Sequence, residues 1–190
     1  MIEITIFGRG GKGARLASEI LAENFFRALA KKGYFVQCFP FFGSERTGQP
    51  VKSFVRLDSK FIRLKCQIKQ ADYLITLGED ILAAPDFEPK NNLKPNGWLI
   101  VNSRRKQEEL SRLFPDYRVV AFNASAIAKK HNLSRLNAVM LGAFAKMTNL
   151  FGFEDLADVL EEKIPARKKE NIEAAKEAYD LSKVLPGGAI

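Results

Sequence analysis

Two hydrophobic periods share this chain. From Ile2 the sequence reads IEITIF, an alternating strand pattern; then Ala17, Ile20, Leu21, Phe25, Ala28 and Leu29 recur at helical spacing and predict an amphipathic helix ending at Lys32-Gly33. YFVQCF, VKSFVRL, DYLITLG, GWLIV and YRVVAF follow as further β-branched and aromatic runs, each predicted to be a strand. In VKSFVRL, Val51, Ser53 and Val55 face one way and Lys52, Phe54 and Arg56 the other, a less clean alternation. PFFGSERTGQP reads as a loop, and EDILAA and KQEELSRLF as short helical connections. After Asn123 the pattern turns wholly helical: ASAIAKKH, RLNAVMLGAFAKMTN, EDLADVLEEKI and KKENIEAAKEAYDLSKV, with turn signals at Gly152 and Pro165. In the last helix Ile172, Ala175, Tyr179 and Leu181 are spaced by charges, so it is expected to pack on the sheet or on a neighbouring subunit. Strands alternating with helices predict a three-layer α/β/α fold with a mainly parallel sheet and a helical C-terminal segment.

Composition narrows the classes. The 190 residues, 46% hydrophobic, suit a single domain spanning 1–190. The longest apolar run, Ala138 to Ala145, falls short of the ~18 residues of a membrane span. MIEITIF carries no basic segment ahead of an apolar stretch, so a cytoplasmic protein with no membrane association is expected. Two separated cysteines, Cys38 and Cys66, and one histidine, His131, are too few for an iron–sulfur cluster or a structural zinc site, and no metal is expected. His131 itself reads as a residue near a helix end rather than a catalytic base. The net charge of +8 is scattered and interleaved with acids, which argues against nucleic acid and suits a phosphorylated small molecule or an acidic protein surface.

Gly8, Gly10 and Gly13, with Gly11 between them, form G-x-G-x-x-G where a strand meets a helix. Glycines there permit a tight turn and close backbone approach, and a helix start near Lys12 would offer free N–H groups to an anion, with Arg9 and Lys12 adding charge. The second strand ends VQCFPFF without the acid that a dinucleotide's ribose needs, and Ala14-Arg15 stands where a P-loop has Lys-Ser/Thr. A phosphate-sized anion site (Gly8, Arg9, Gly10, Gly11, Lys12, Gly13) and a purely structural turn both remain open. In FPFFGSERTGQPV the aromatic residues predict a covered surface, either by tucking the loop onto the chain's own core or at a subunit interface, for which Phe41, Phe42, Glu45, Arg46 and Gly48 are the candidates.

GRGGKGA, FPFFGSERTGQPV with the FVR that follows, and NAVMLGAFAK followed by ARKKENIEAAKEAYDL together resemble the gamma subunit of 2-oxoacid:ferredoxin oxidoreductases of the pyruvate/ketoisovalerate type, in order over nearly the whole chain. The resemblance implies a complex that converts a 2-oxoacid and coenzyme A to acyl-CoA and CO2 and reduces ferredoxin. It implies alpha-, beta- and delta-type partner subunits that carry thiamine diphosphate and the iron–sulfur clusters. This chain would then hold no cofactor and no catalytic residue, would meet ferredoxin only indirectly, and would contact CoA through the glycine loop. An indolepyruvate or 2-oxoglutarate enzyme subunit, or a stand-alone protein binding a phosphorylated ligand, are the alternatives.

Overall fold

A computed structural model of the chain describes residues 1–41, 50–84 and 87–186. The chain begins with β1 (Ile2–Arg9), α1 (Ala14–Leu29), β2 (Phe35–Phe41), β3 (Pro50–Asp58) and β4 (Ala71–Thr76). A 3-10 turn, Glu79–Ala83, and α2 (Pro89–Asn92) lead to β5 (Leu93–Asn102), α3 (Gln107–Leu113) and β6 (Arg118–Phe122). Beyond β6 the described residues hold α4 (Ala124–Lys130), α5 (Asn137–Thr148), α6 (Phe153–Lys163) and α7 (Lys168–Leu181).

The six strands form one sheet in the order β2-β3-β1-β4-β5-β6. β1, β4, β5 and β6 pair in parallel, and β3 runs antiparallel to both its neighbours. The expected mainly parallel α/β architecture is therefore the one observed, with β3 as the reversed strand.

Strand alternation sorts the core into two faces. Ile4, Ile6, Val55, Leu57, Tyr73, Ile75 and Ile100 point to the face covered by α1 and the C-terminal helices. Phe7, Leu74, Leu99, Val101 and Val119 point to the other, covered by the 3-10 turn and α3 through Ile81 and Leu110. α5 is buried along nearly its whole length, and Phe144 meets Tyr73 of the sheet edge to face at 5.5 Å between centroids. α7 docks chiefly on α5, and also on α6 and α4, with Ala174, Ala175 and Ala178 fully buried, while Leu181 stays exposed.

Gly142 permits that docking. A Cβ there would lie 2.8 Å from the carbonyl carbon and 2.9 Å from the Cα of Ala175, closer than side chains approach backbone. The two helix backbones touch.

Several boundaries differ from the sequence reading. Pro40-Phe41 finishes β2 instead of opening a loop; β2 is an edge strand, where a missing proline N–H costs no ladder bond. EDILAA is a short helical connection as expected, in 3-10 form over Glu79–Ala83. The regular pairing of β5 covers Trp98–Asn102, as expected, but the strand starts earlier, through an irregularity at Asn96, which has φ 60°. α1 starts at Ala14, two residues beyond Lys12.

Arg56 lies on the face of β3 opposite Val55, as the alternation expects, yet it is 1% exposed. Its Nε donates to Glu3 Oε1 at 3.0 Å, Nη1 to Gln37 Oε1 at 2.9 Å and Nη2 to the Cys66 carbonyl at 2.9 Å. Those partners lie on β1, on β2 and in the non-helical connection 59–70. Glu3 thus matches the buried guanidinium in charge, and Lys94, 3.5 Å from Glu3, is itself paired with Asp72 at 2.9 Å.

Candidate functional site

The glycine loop is built by backbone geometry. Lys12 N–H donates to the Arg9 carbonyl at 3.0 Å, closing a turn whose third residue, Gly11, has φ 87°, as a type II turn requires. Gly13, the N-cap of α1, has φ 91°, and a Cβ on it would meet the Asn137 side chain at 3.3 Å. A Cβ on Gly8 would press on Leu77 at 3.2 Å, where β1 and the end of β4 lie side by side. Gly8, Gly11 and Gly13 thus have local structural reasons independent of any ligand.

The same turn carries Arg9 and Lys12 to the rim of a cavity of about 320 Å³. Its other walls come from the segment after β4 (Leu77, Gly78, Glu79, Asp80), the end of β5 (Asn102, Ser103, Arg104) and Ser125 at the start of α4. This is the crevice at the carboxyl ends of the parallel strands, where open α/β sheets hold their ligands. Arg9 Nε donates to Asp80, while Ser103 Oγ donates to Glu79 Oε2 at 2.6 Å. Asn102, 6% exposed, ties three elements together. Its Nδ2 donates to the Leu77 carbonyl at 3.1 Å and to Ser125 Oγ at 3.0 Å, and its Oδ1 accepts from Ser125 N–H at 3.1 Å.

Chemically, this is a polar binding surface with cations, carboxylates and hydroxyls in mixed array. An anion entering it competes with Asp80 for Arg9. Lys12 and Arg104 form no ion pair among the described residues and are the more available charges. His131, at the C-cap of α4, lies with Nε2 2.8 Å from Glu177 Oε2, so the one imidazole is engaged in joining α4 to α7. The Glu177 carboxylate is held below its ordinary range, first by that hydrogen bond and then by the one from Lys130. Burial pushes the Cys38 thiol up, opposed by its hydrogen bond with Ser18.

Of the anion-site candidates, Arg9 and Lys12 line the cavity, whereas Gly11 and Gly13 shape its approach. Of the interface candidates, Phe41 ends β2 at 39% exposure, and Phe42, Glu45, Arg46 and Gly48 lie outside the described residues. The sequence reading missed Glu79, Asp80, Asn102, Ser103 and Ser125. Part of the signal was available, since Asn102 and Ser103 directly follow the apolar run of GWLIV and Ser125 follows YRVVAF closely, which marks strand carboxyl ends, but not which ends lie side by side. Among the described residues no group of three His, Cys, Asp or Glu side chains is arranged to hold a metal, and no helix is long and apolar enough to cross a membrane.

Residues 3–181 match the family model described as pyruvate ferredoxin/flavodoxin oxidoreductase. The chain is 39% identical over 189 residues to the pyruvate/ketoisovalerate oxidoreductases common subunit gamma of Pyrococcus furiosus, covering 97% of this chain and 99% of that one. It is 38% identical to pyruvate synthase subunit PorC of Methanothermobacter thermautotrophicus, covering 95% of each. Among solved structures, the pyruvate oxidoreductase subunit PORC of Thermotoga maritima superposes with a TM-score of 0.73 at 26% identity, over 94% of this chain and 95% of that one. A 2-oxoglutarate:ferredoxin oxidoreductase from Magnetococcus marinus shares the fold, with a TM-score of 0.74 at 23% identity, over 97% of this chain and 32% of that one.

Proposed function

The chain belongs to the pyruvate ferredoxin/flavodoxin oxidoreductase family as a gamma subunit, and from that premise we propose that it assembles with alpha-, beta- and delta-type subunits into an enzyme that oxidatively decarboxylates pyruvate or a related 2-oxoacid. In this reading the 2-oxoacid loses CO2, its acyl group passes to the thiol of coenzyme A, and the electrons leave to ferredoxin. Thiamine diphosphate and the iron–sulfur clusters sit on the partners, and the isolated chain turns over nothing. The near full-length match to relatives named as gamma or PorC subunits carries the proposal. The site supports a share in binding rather than in chemistry: Lys12 and Arg9 on the glycine turn, with Arg104 opposite, offer charge to a phosphate of CoA at the carboxyl edge of the sheet.

The test is a complex reconstituted with the Arg9→Ala, Lys12→Ala chain. The KM for CoA should rise about tenfold, as expected for losing charge-assisted hydrogen bonds, with kcat for decarboxylation and subunit assembly retained. An unchanged KM in an intact complex assigns the loop to structure alone. Tight CoA binding by the isolated monomer would instead favour a stand-alone binding protein.

A further inference from the structure

A second cavity, of about 330 Å³, shares no lining residue with the first. Three helices begin at its wall: Leu16 lies in the first turn of α1, Asn137 is the first residue of α5, and Arg167 is the N-cap of α7. None of the three N-cap residues makes a side-chain capping hydrogen bond. Each start therefore presents backbone N–H groups and the positive end of a helix dipole. Together they concentrate positive potential in one hollow.

The side chains agree in sign. Arg135 and Arg167 both line the cavity, and no acidic residue does so among the described residues. Arg167 is engaged at every nitrogen: Nε and Nη2 donate to Glu170 Oε1 at 3.2 Å, Nη1 donates to the Asn132 carbonyl, and Nη2 also reaches the His131 carbonyl at 3.3 Å, so an anion must share it. Arg135 is exposed and forms no ion pair among the described residues. The independent sign of a ligand is Asn137. It lines the cavity and is 1% exposed; its Oδ1 accepts from Ala138 N–H at 3.0 Å, while its Nδ2 has no hydrogen-bond partner among the described residues. A buried amide donor left unsatisfied is costly and calls for an acceptor.

We infer that this cavity is a binding site for a tetrahedral oxyanion of the phosphate class, held by Asn137 Nδ2, Arg135 and Arg167 at the meeting of the α1, α5 and α7 N-termini. Glu79 and Asp80 of the glycine-loop cavity have no counterpart on these walls; the carboxylate an anion here competes with is Glu170, for Arg167, while Arg135 has no acidic rival among the described residues. The inference needs no assembled complex and stands apart from the proposal for the glycine turn.

The probe is inorganic phosphate, titrated into the 15N-labelled full chain at constant ionic strength with chloride as the control. Saturable shifts are expected at the Asn137 side-chain amide signals and at the backbone N–H signals of Leu16 and Lys168. The affinity should fall about tenfold in Arg135→Gln and further in Asn137→Asp, which replaces the donor with a carboxylate of the same size. Arg135 is exposed, so its variant retains the fold and carries the test even if Asn137→Asp does not fold. Adding CoA to the phosphate-saturated chain distinguishes the source. Displacement assigns the pocket to a phosphate of that ligand and no displacement to free phosphate, and either supports the oxyanion class. Equal shifts with chloride, or binding retained in Arg135→Gln but lost in Lys12→Ala, would overturn the inference.

Discussion

Replacing Gly142 by alanine tests the backbone contact between α5 and α7. Alanine favours the helical state by about 0.5–1 kcal/mol over glycine, so on an open helix face the change would stabilise. Here the new methyl meets backbone that cannot rotate away. The nearest atom to that methyl is the Ala175 carbonyl oxygen, and even the Cα, at 2.9 Å, must move out to ordinary contact at 3.4 Å, so α7 must retreat by more than half an ångström. A retreat of that size forfeits roughly a quarter of each contact well along Ala174, Ala175 and Ala178. Overpacking of a well-packed core costs about 1–3 kcal/mol, and a backbone clash belongs at the upper end. Subtracting the helical gain leaves a net loss of about 2 kcal/mol. For a chain of this size that lowers Tm by about 4–8 °C, and in urea it shifts the midpoint without changing the slope. Adding Ala175→Gly should not rescue the variant, because the clash is with the main chain of Ala175 and not with its methyl. A Gly142→Ala chain as stable as the original, or rescue by Ala175→Gly, would refute the reasoning.

Arg56→Met should destabilise by about 3–5 kcal/mol, since it leaves Glu3 with Lys94 alone and strips Gln37 and the Cys66 carbonyl of their donor. Limited proteolysis should then cut within residues 59–70, and resistance equal to that of the native chain would contradict the clamp. Glu177→Gln should reduce stability by an amount that depends on pH. Because the folded-state carboxylate lies below the ordinary 4.5, its contribution is fully present above that value and is lost as pH falls through the folded-state one. The Tm difference between the two chains should hold from neutrality to about pH 4.5 and close below it; a gap that widens in acid would contradict this.

What could be read in advance depended on how local each feature is. β1 and α1 each carry their own period, so both were visible in the chain. α5 lacks a polar face yet has the length and composition of a helix. Arg56 was illegible because its acceptors come from three segments that meet only in the folded sheet. Pro40 looks like a terminator until β2 is known to lie at the sheet edge. The glycine turn announced itself by motif. Glu79, Asp80, Asn102, Ser103 and Ser125 join it only once β1, β4 and β5 are seen to be neighbours, an order that no single stretch contains. The hollow at Asn137 is further from view, since its walls come from helix starts at residues 14, 137 and 168.

The position of β1 between β3 and β4 has a consequence for the order of events during synthesis. The strand is made first, yet its partners come late: Ile2 pairs with Leu57 and Ile4 with Tyr73. At about 5–20 residues per second, a nascent chain holds Ile4 and Ile6 without a neighbouring strand for roughly 3–10 s before β3 is complete, and for longer on the β4 side. In that interval α1, whose buried residues join theirs in one core, is the first finished element able to shelter them. The strand that delivers the glycine turn is the oldest part of the molecule, and it waits for a reversed strand to arrive before the sheet can begin to close around it.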